Sequence, residues 1–292
     1  MTRLTRRALV GASLSLAAGA AHAESWPRFA LIIANSDYDG DGKVETSETA
    51  RQRAAERGFV GDLANPWFDA VRVGDALRSA GFETETAYNA DRGMMSGSVM
   101  RLFARAKAAG PGASTLSYYA GHGIQLSGRP FLVATRAQFL AEGMPADTAE
   151  QRTQIGLRLG VSVPELIIGA PRPEPPGFNL FLIDACRDNP WEDQVRAGLE
   201  AEGRAYVGER GFGAMSVLTP RTVLAFSTSP GEEAVDGIAA AGSPYAAAII
   251  QRLRQPGLSV DAAVDSMLGE VSATSGGRQT PWRIGRVGDA TP

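Results

Sequence analysis

Four short apolar segments, separated by helix-like stretches, constrain the fold of this 292-residue chain most strongly. The segments are 29-FALIIA-34, 114-STLSYYA-120, 178-FNLFLIDA-185 and 222-TVLAFSTS-229. Such largely apolar runs are typical of strands that are buried on both faces. Strands that alternate with helices predict an α/β three-layer sandwich, with a mostly parallel central sheet and helices on both faces. In such sheets a functional site is expected at the carboxyl ends of the strands.

Helix and turn signals occupy the intervening stretches. Asn65 and Pro66 are typical of a helix N-cap followed by its first residue, and Gly81 is typical of a helix end. The sequence predicts helices over 66–80, 94–110 and 163–170, and two more that begin after Ser243 and Ser259. Shorter strands are expected at 82–88, 130–134 and near 282–286.

The first 23 residues are typical of an export signal. The positive segment MTRLTRR precedes the apolar run 8–21, and 21-AHA-23 is typical of a cleavage site. The Arg6-Arg7 pair resembles a twin-arginine signal. The apolar run is short and rich in Ala, Gly and Ser, which disfavours the alternative of a retained membrane anchor. We expect a periplasmic or secreted protein, without stable membrane association after cleavage, whose mature chain is one domain over 24–292.

Cleavage changes the composition in two useful ways. The formal net charge falls from −3 to −6, because residues 1–23 hold three arginines and no acidic residue. An acidic protein lacks the electrostatic footprint of a nucleic-acid partner. One histidine, His122, and one cysteine, Cys186, remain. A single cysteine forms no internal disulfide, so Cys186 is either an inert core thiol or a reactive one.

His122 and Cys186 both follow predicted central strands. His122 lies in 118-YYAGHG-123 and Cys186 in 182-LIDACRD-188. Matched placement at strand ends favours a Cys–His dyad, in which the thiolate is the nucleophile and the imidazole transfers its proton to the leaving amine. The N–H groups of Gly123 and Cys186 are candidate oxyanion donors.

These motifs together resemble the caspase-like cysteine peptidases, specifically the bacterial metacaspase-like (orthocaspase) branch. Further segments that resemble family elements are LANPWFDAVRVGDALRSAGFE, FSTSPGEEAVDG and TSGGRQTPW. Asp184 stands where animal caspases carry Gln, which separates this chain from them. The resemblance implies a caspase–haemoglobinase fold with His122 and Cys186 as the dyad, and it implies no organic cofactor.

The residues around Cys186 indicate a specificity. Asp184 precedes Cys186 by two residues, so both side chains of an extended strand point the same way. A carboxylate at that position suits protein or peptide substrates with Arg or Lys before the scissile bond. The resemblance implies a second pocket acid, Asp69, although a first-turn aspartate also stabilises a helix dipole. Asp236 is a further candidate.

The polar segment 187–213 after Cys186 is expected to be a flexible loop. The resemblance implies that this region rearranges around the site and is sometimes cut. Arg196, Arg204 and Arg210 are then candidates for self-cleavage, and an ordinary solvated loop is the alternative.

The acidic segment 37-DYDGDGKVETSE-48 fits the calcium-loop pattern D-x-[DN]-x-[DN]-G-x5-E. The predicted ligands are the side chains of Asp37, Asp39, Asp41, Glu45 and Glu48 and the carbonyl of Lys43, with Gly42 at the turn. A strand instead of a helix precedes the loop, so we expect a single EF-hand-like insert followed by a helix over 46–58. A solvated acidic turn is the alternative.

The sequence therefore predicts an exported cysteine endopeptidase that cleaves after Arg or Lys and carries a calcium-binding insert near its substrate pocket. One alternative is a catalytically silent, calcium-dependent binding or scaffold protein with the same fold. Another is a different cysteine hydrolase, such as an amidase. Nothing in the sequence indicates the oligomeric state.

Overall fold

The computed structural model describes residues 26–126, 129–138, 148–185, 219–229, 242–255 and 257–288. The strands in these ranges are β1 (Arg28–Ala34), β2 (Glu83–Tyr88), β3 (Ser114–Ala120), β4 (Gly123–Leu126), β5 (Arg129–Val133), β6 (Gly160–Ser162), β7 (Asn179–Asp184), β8 (Thr222–Phe226) and β9 (Trp282–Ile284). The helices are α1 (Glu48–Glu56), α2 (Pro66–Ser79), α3 (Arg92–Ala109), α4 (Ala149–Leu159), α5 (Val163–Gly169), α6 (Pro244–Leu253) and α7 (Val260–Thr274). None of these helices is long and apolar enough to cross a membrane.

Within the described residues, the central sheet has six strands in the order β2-β1-β3-β7-β8-β9. The first five are parallel, and β9 pairs antiparallel with β8 at one edge. Every residue of β7 and β8 is buried, which explains why their sequences are largely apolar instead of alternating. The predicted mostly parallel sheet is confirmed.

Helices cover both faces of this sheet. Side chains alternate along β1, so Ala30 and Ile32 face α2, α6 and α7, whereas Leu31 and Ile33 face α3 and α5. Each face buries its own apolar cluster, and burial of apolar area is the main driving force for this arrangement. The three-layer sandwich expected from the sequence is therefore present.

The predicted helix starts are confirmed at two serines but only in part at Asn65. The hydroxyls of Ser243 and Ser259 accept hydrogen bonds from the N–H groups of Ala246 and Ala262, at 2.9 and 3.2 Å. Helix α2 begins at Pro66 as expected, but the Asn65 side chain makes no capping bond. Its backbone is already near-helical (φ −102°, ψ −20°), whereas a capping side chain needs an extended backbone.

A second, antiparallel sheet, β4-β5-β6, was not predicted apart from β5. Strands β4 and β6 have only four and three residues, too few for a periodic sequence signal. This sheet packs with α4 and Tyr38 around a third apolar cluster. Since β4 begins one residue after His122, the small sheet adjoins the carboxyl end of β3.

Candidate active site

The two predicted catalytic residues follow adjacent, parallel strands. Strands β3 and β7 pair in a register that sets Ala120 beside Asp184. His122 and Cys186 each follow two residues later in the sequence. Cys186, Asp236 and the predicted loop 187–213, with the three arginines proposed for self-cleavage, lie outside the described residues. The described half of the site is therefore built around His122, Gly123, Asp69 and Asp184.

The imidazole of His122 is anchored through one ring nitrogen. Its Nε2 lies 2.8 Å from the carbonyl oxygen of Gly61. A carbonyl can only accept a hydrogen bond, so Nε2 carries the proton and donates it. The lone pair of the neutral ring therefore lies on Nδ1, the nitrogen that can act as a general base.

Burial keeps the His122 imidazole neutral. It lowers the pKa of His122 from 6.5 to about 4; the hydrogen bond to Gly61 opposes this shift, and the positive charge of Arg51 adds to it. His122 is half-buried, and the loss of water around its ring disfavours the cationic form. At neutral pH the ring can accept a proton from a nearby thiol.

The backbone of His122 is held from two sides by tyrosine hydroxyls. Its N–H donates to the hydroxyl of Tyr38 at 2.6 Å, and its carbonyl accepts from the hydroxyl of Tyr119 at 2.6 Å. The rings of Tyr38 and His122 also lie 4.7 Å apart, tilted by 57°. Sequence reasoning missed Tyr38 and Gly61, because both are remote from His122 along the chain.

The glycines that flank His122 have distinct structural roles. A Cβ at Gly121 would lie 2.5 Å from the Tyr38 hydroxyl and 2.6 Å from that of Tyr119, so a side chain does not fit there. Gly123 pairs with Leu132 in the β4–β5 ladder. Val133 N–H donates to the His122 carbonyl. Because hydrogen-bonded and non-hydrogen-bonded pairs alternate, the N–H of Gly123 is turned away from β5, as an oxyanion donor requires.

Asp69 and Asp184, two of the three predicted pocket acids, converge on Ser243. Asp184 ends β7 and Asp69 lies in the first turn of α2, and both are buried, at 8% and 1% exposure. The N–H of Ser243 lies 3.2 and 3.0 Å from the two oxygens of Asp69, and its hydroxyl donates to Asp184 Oδ2 at 2.5 Å. Ser243 is thus a connecting residue that the sequence marked only as a helix cap.

A hydroxyl donor and a cation both lie near these two acids. The hydroxyl of Tyr118 donates to Asp184 Oδ2 at 3.4 Å. Burial raises the pKa of Tyr118 well above its usual value, and the charges of Asp184 and Asp69 raise it further. Tyr118 therefore stays protonated and remains a donor. Arg72 and Asp69 both approach Gly242, so a cation already stands near one of the acids.

The acidic loop has the turn geometry that its glycines predict. The two oxygens of Asp37 accept from the N–H groups of Gly40 and Gly42, at 2.8 and 2.9 Å. Gly42 has a φ of +85°, a backbone conformation that residues other than Gly rarely adopt. Asp41 accepts from the N–H of Lys43 at 2.8 Å. The sharp turn expected at Gly42 is present.

Three carboxylates meet in this region, and one of them was not foreseen. Oxygens of Asp37, Asp39 and Asp62 lie within 4.8 Å of one another. Asp62 also accepts from the N–H groups of Tyr38 and Glu45, at 2.8 and 2.9 Å. Burial raises the pKa of Asp62, those two bonds oppose the shift, and the negative charges of Asp37 and Asp39 add to it.

The remaining predicted ligands do not join this cluster, although they lie within the described residues. Asp41, Lys43, Glu45 and Glu48 are exposed, and Glu48 is the first residue of α1. Two arginines bind loop carboxylates instead: Arg57, which follows α1, pairs with Asp39 at 2.7 Å, and Arg53 of α1 pairs with Glu45 at 3.0 Å. A cavity of about 340 Å³ lies between the loop and α1. Of the predicted ligands, Asp37 and Asp39 gather with Asp62, and Asp39, Asp41, Lys43 and Glu45 line this cavity.

Comparisons with known proteins agree with this architecture. The sequence profile of the caspase domain matches residues 27–286, nearly the whole chain. The crystal structure of caspase-1 from Spodoptera frugiperda superposes with a TM-score of 0.51 and 14% identity, over 88% of this chain and 86% of that one; at this identity the likeness shows the fold. A search of curated protein sequences gave no match. From the extent of the profile match, this protein belongs to the caspase family of cysteine peptidases, hydrolases that act on protein substrates.

Proposed function

We propose that this protein is an endopeptidase of the metacaspase-like branch that cleaves after Arg or Lys. The observation that carries the proposal is the convergence of two buried carboxylates, Asp69 and Asp184, on Ser243. This convergence lies at the carboxyl end of β7, directly before the sequence position of Cys186. Carboxylates bind guanidinium and ammonium groups through charge-assisted hydrogen bonds, and they repel an acidic substrate side chain.

The described half of the site supports a thiol mechanism. The Cys186 thiol transfers its proton to Nδ1 of His122, and the thiolate attacks the scissile carbonyl carbon. The N–H groups of Gly123 and Cys186 stabilise the oxyanion of the tetrahedral intermediate. When the C–N bond breaks, His122 returns the proton to the leaving amine. Water then attacks the thioester carbonyl carbon and gives a proton to His122. When the C–S bond breaks, the acid product leaves and His122 returns the proton to the Cys186 sulfur.

Peptide hydrolysis tests the proposed specificity. The mature chain, residues 24–292, should release fluorophore from peptides with Arg or Lys before the cleaved bond and leave matched Asp peptides intact. Cys186→Ala should abolish this activity, so full hydrolysis by that variant contradicts the dyad. An Arg chloromethyl ketone should label the wild type. Failure to label and to cleave would favour the silent scaffold, whereas cleavage restricted to non-peptide amides would favour an amidase.

We further propose that the acidic loop binds calcium. Calcium takes six to eight oxygen ligands, and Asp37, Asp39 and Asp62 already gather carboxylate oxygens at one point. Burial is the main cause of the raised pKa of Asp62, and the like charges of Asp37 and Asp39 add to it, so a cation at this point would relieve their repulsion. Backbone carbonyls and water would complete the ligand shell.

Terbium luminescence tests the calcium proposal. Terbium bound in the loop should be sensitised by Tyr38, and calcium should compete it away. Asp37→Asn should weaken this signal, whereas the control Asp75→Asn should not, because Asp75 is an exposed residue of α2 that pairs with Arg78. A flat titration contradicts the proposal. Peptide hydrolysis with calcium and with chelator then decides whether the ion changes activity.

We also propose that residues 1–23 direct export and are removed. Their charge, apolar run and AHA motif support this, although they lie outside the described residues. N-terminal sequencing of protein from the periplasm or medium should begin at Glu24. Replacement of Arg6-Arg7 by Lys-Lys should block export if the signal is of the twin-arginine type; unchanged export points to the general route. Self-cleavage at Arg196, Arg204 or Arg210 stays a prediction, which mass spectrometry of the incubated mature chain can check.

A further inference from the structure

Tyr38 is a fully buried residue that spans the space between the acidic loop and His122. Its side chain and backbone together are only 1% exposed. Its N–H donates to Asp62 Oδ1 at 2.8 Å, and its carbonyl accepts from the N–H of Arg136 at 2.8 Å. Both backbone groups of Tyr38 are therefore held, so the position of its hydroxyl is determined by the surrounding structure.

The far end of Tyr38 contacts His122 twice. Its hydroxyl accepts from the His122 N–H at 2.6 Å, and its ring packs against the imidazole with 4.7 Å between centroids. A further contact of the imidazole, the Gly61 carbonyl at 2.8 Å from Nε2, comes from the residue before Asp62. Asp62 accepts a hydrogen bond from Tyr38 and directly follows Gly61, so Tyr38, Asp62 and Gly61 form one connected set of contacts around the imidazole.

We propose that Tyr38 is a positioning residue for His122. Its hydroxyl sets the backbone N–H direction, and its ring restricts rotation of the imidazole about the side-chain bonds, so that Nε2 stays on Gly61 and Nδ1 presents its lone pair. A catalytic group displaced by about 1 Å loses on the order of 100-fold in rate. The effect on hydrolysis rests on the proposed Cys–His function, but the effect on the imidazole does not.

Nitrogen NMR of the mature chain tests the proposal without catalysis. His122 is the only histidine in residues 24–292, so histidine-selective ¹⁵N labelling reports this imidazole alone. The wild type should show the Nε2–H tautomer with its proton protected from solvent exchange. Tyr38→Phe retains the ring but removes the hydroxyl, and it should shift both ring nitrogens and accelerate exchange of the Nε2 proton. In peptide hydrolysis we expect kcat to fall about 10- to 100-fold, with KM changed less than about twofold.

Tyr245→Phe is the matched control. Tyr245 is also fully buried, and its hydroxyl donates to the carbonyl of Ala225 at 3.0 Å. This variant loses a buried hydroxyl bond but no contact to His122, so the His122 signals should stay as in the wild type. The proposal is overturned if Tyr38→Phe leaves the His122 spectrum and kcat unchanged, or if Tyr245→Phe alters the His122 spectrum equally.

Two further outcomes remain decisive. Should Tyr38→Phe fail to fold, site-specific 3-fluorotyrosine at position 38 retains the hydroxyl in weakened form. Because its hydroxyl accepts the His122 N–H bond less strongly, this variant should shift the His122 ¹⁵N signals relative to the wild type. Signals identical to those of the wild type would overturn the proposal. Should the wild type cleave no Arg or Lys peptide, the proposed function fails, while the NMR comparison still decides whether Tyr38 positions the imidazole.

Discussion

Asp184 accepts a hydrogen bond from the hydroxyl of Ser243 at 2.5 Å, across 59 residues of sequence. This contact ties the carboxyl end of β7 to the first turn of α6. The same serine caps α6 through the N–H of Ala246 and binds Asp69 through its own N–H. The start of one helix therefore determines where both buried acids stand relative to each other.

Ser243→Ala should destabilise the protein more than an ordinary cap deletion does. It removes a helix cap, worth about 1 kcal/mol, and also a donor to a buried carboxylate, worth about 1–3 kcal/mol more. The free energy of unfolding in urea measures the sum. Ser259→Ala is the control, because Ser259 caps α7 in the same way but binds Ala262 in an exposed setting. Equal losses in the two variants would show that the Ser243–Asp184 contact adds nothing.

Asp184→Asn should weaken hydrolysis of Arg peptides while it preserves the fold. The amide has the shape of the carboxylate but no charge, so the charge-assisted bond that we propose between Asp184 and the substrate would become a neutral one. We expect kcat/KM to fall about 10- to 100-fold, since charged hydrogen bonds are worth about 1.5–3 kcal/mol. Steady-state kinetics with Arg and uncharged peptides measure the loss. If the variant keeps the wild-type preference for Arg peptides over uncharged ones, Asp184 does not contribute to the substrate pocket.

Gly242→Ala should move Asp69 and destabilise the protein. Gly242 has a φ of +87°, and an added Cβ would overlap the Asp69 carboxylate and approach Arg72. The left-handed backbone alone costs an alanine about 1–2 kcal/mol. Gly257→Ala isolates this cost, because Gly257 has a φ of +89° and open space around its Cβ position. Thermal unfolding should show a larger loss for Gly242→Ala; losses of the same size would contradict the overlap with Asp69.

The stability of the fold should decrease as the pH falls from about 6.5 to about 4. Burial lowers the pKa of His122 in the folded state to about 4, so the unfolded chain, with a pKa of 6.5, binds more protons in this window. The contribution is present in full above pH 6.5 and is lost towards pH 4, by no more than about 3 kcal/mol. Urea unfolding across this range measures the slope.

His122→Gln separates the histidine contribution from that of the carboxylates. The glutamine amide can still donate to the Gly61 carbonyl but does not titrate. Between pH 5 and 6.5 its stability should change less with pH than that of the wild type, because His122 is the only histidine of the mature chain. Identical slopes would place the pKa of His122 near its ordinary value.

Arg57→Gln should increase the affinity of the acidic loop for terbium. Arg57 pairs with Asp39, one of the three clustered carboxylates, and must release it when a cation binds. The Arg57 side chain is 57% exposed, so the pair is worth at most about 1 kcal/mol and the gain should be about fivefold or less. Arg78→Gln is the control, since Arg78 pairs with Asp75 on an exposed part of α2, outside the acidic loop. Equal responses would show a general charge effect.

Local patterns in the sequence determined much of the fold. Four strands of the central sheet, β1, β3, β7 and β8, were recognisable as apolar runs, and Ser243 and Ser259 predicted the helices that they cap. Burial and capping depend on residues close together in the chain. His122 and Asp184 were recognisable since each follows or ends such a strand. The spacing of aspartates and Gly42 likewise predicted a sharp turn that is present.

The contacts of the candidate site were decided by the tertiary structure. Gly61 and Tyr38 reach His122 from 61 and 84 residues away, and Ser243 reaches Asp69 from 174 residues away. Asp62 enters the carboxylate cluster from outside the calcium-loop pattern. A sequence pattern specifies which side chains a strand or turn presents, because that depends on neighbouring residues. Which distant residues contact those side chains depends on how the sheet and helix layers pack against each other, and this packing is determined only in the folded chain.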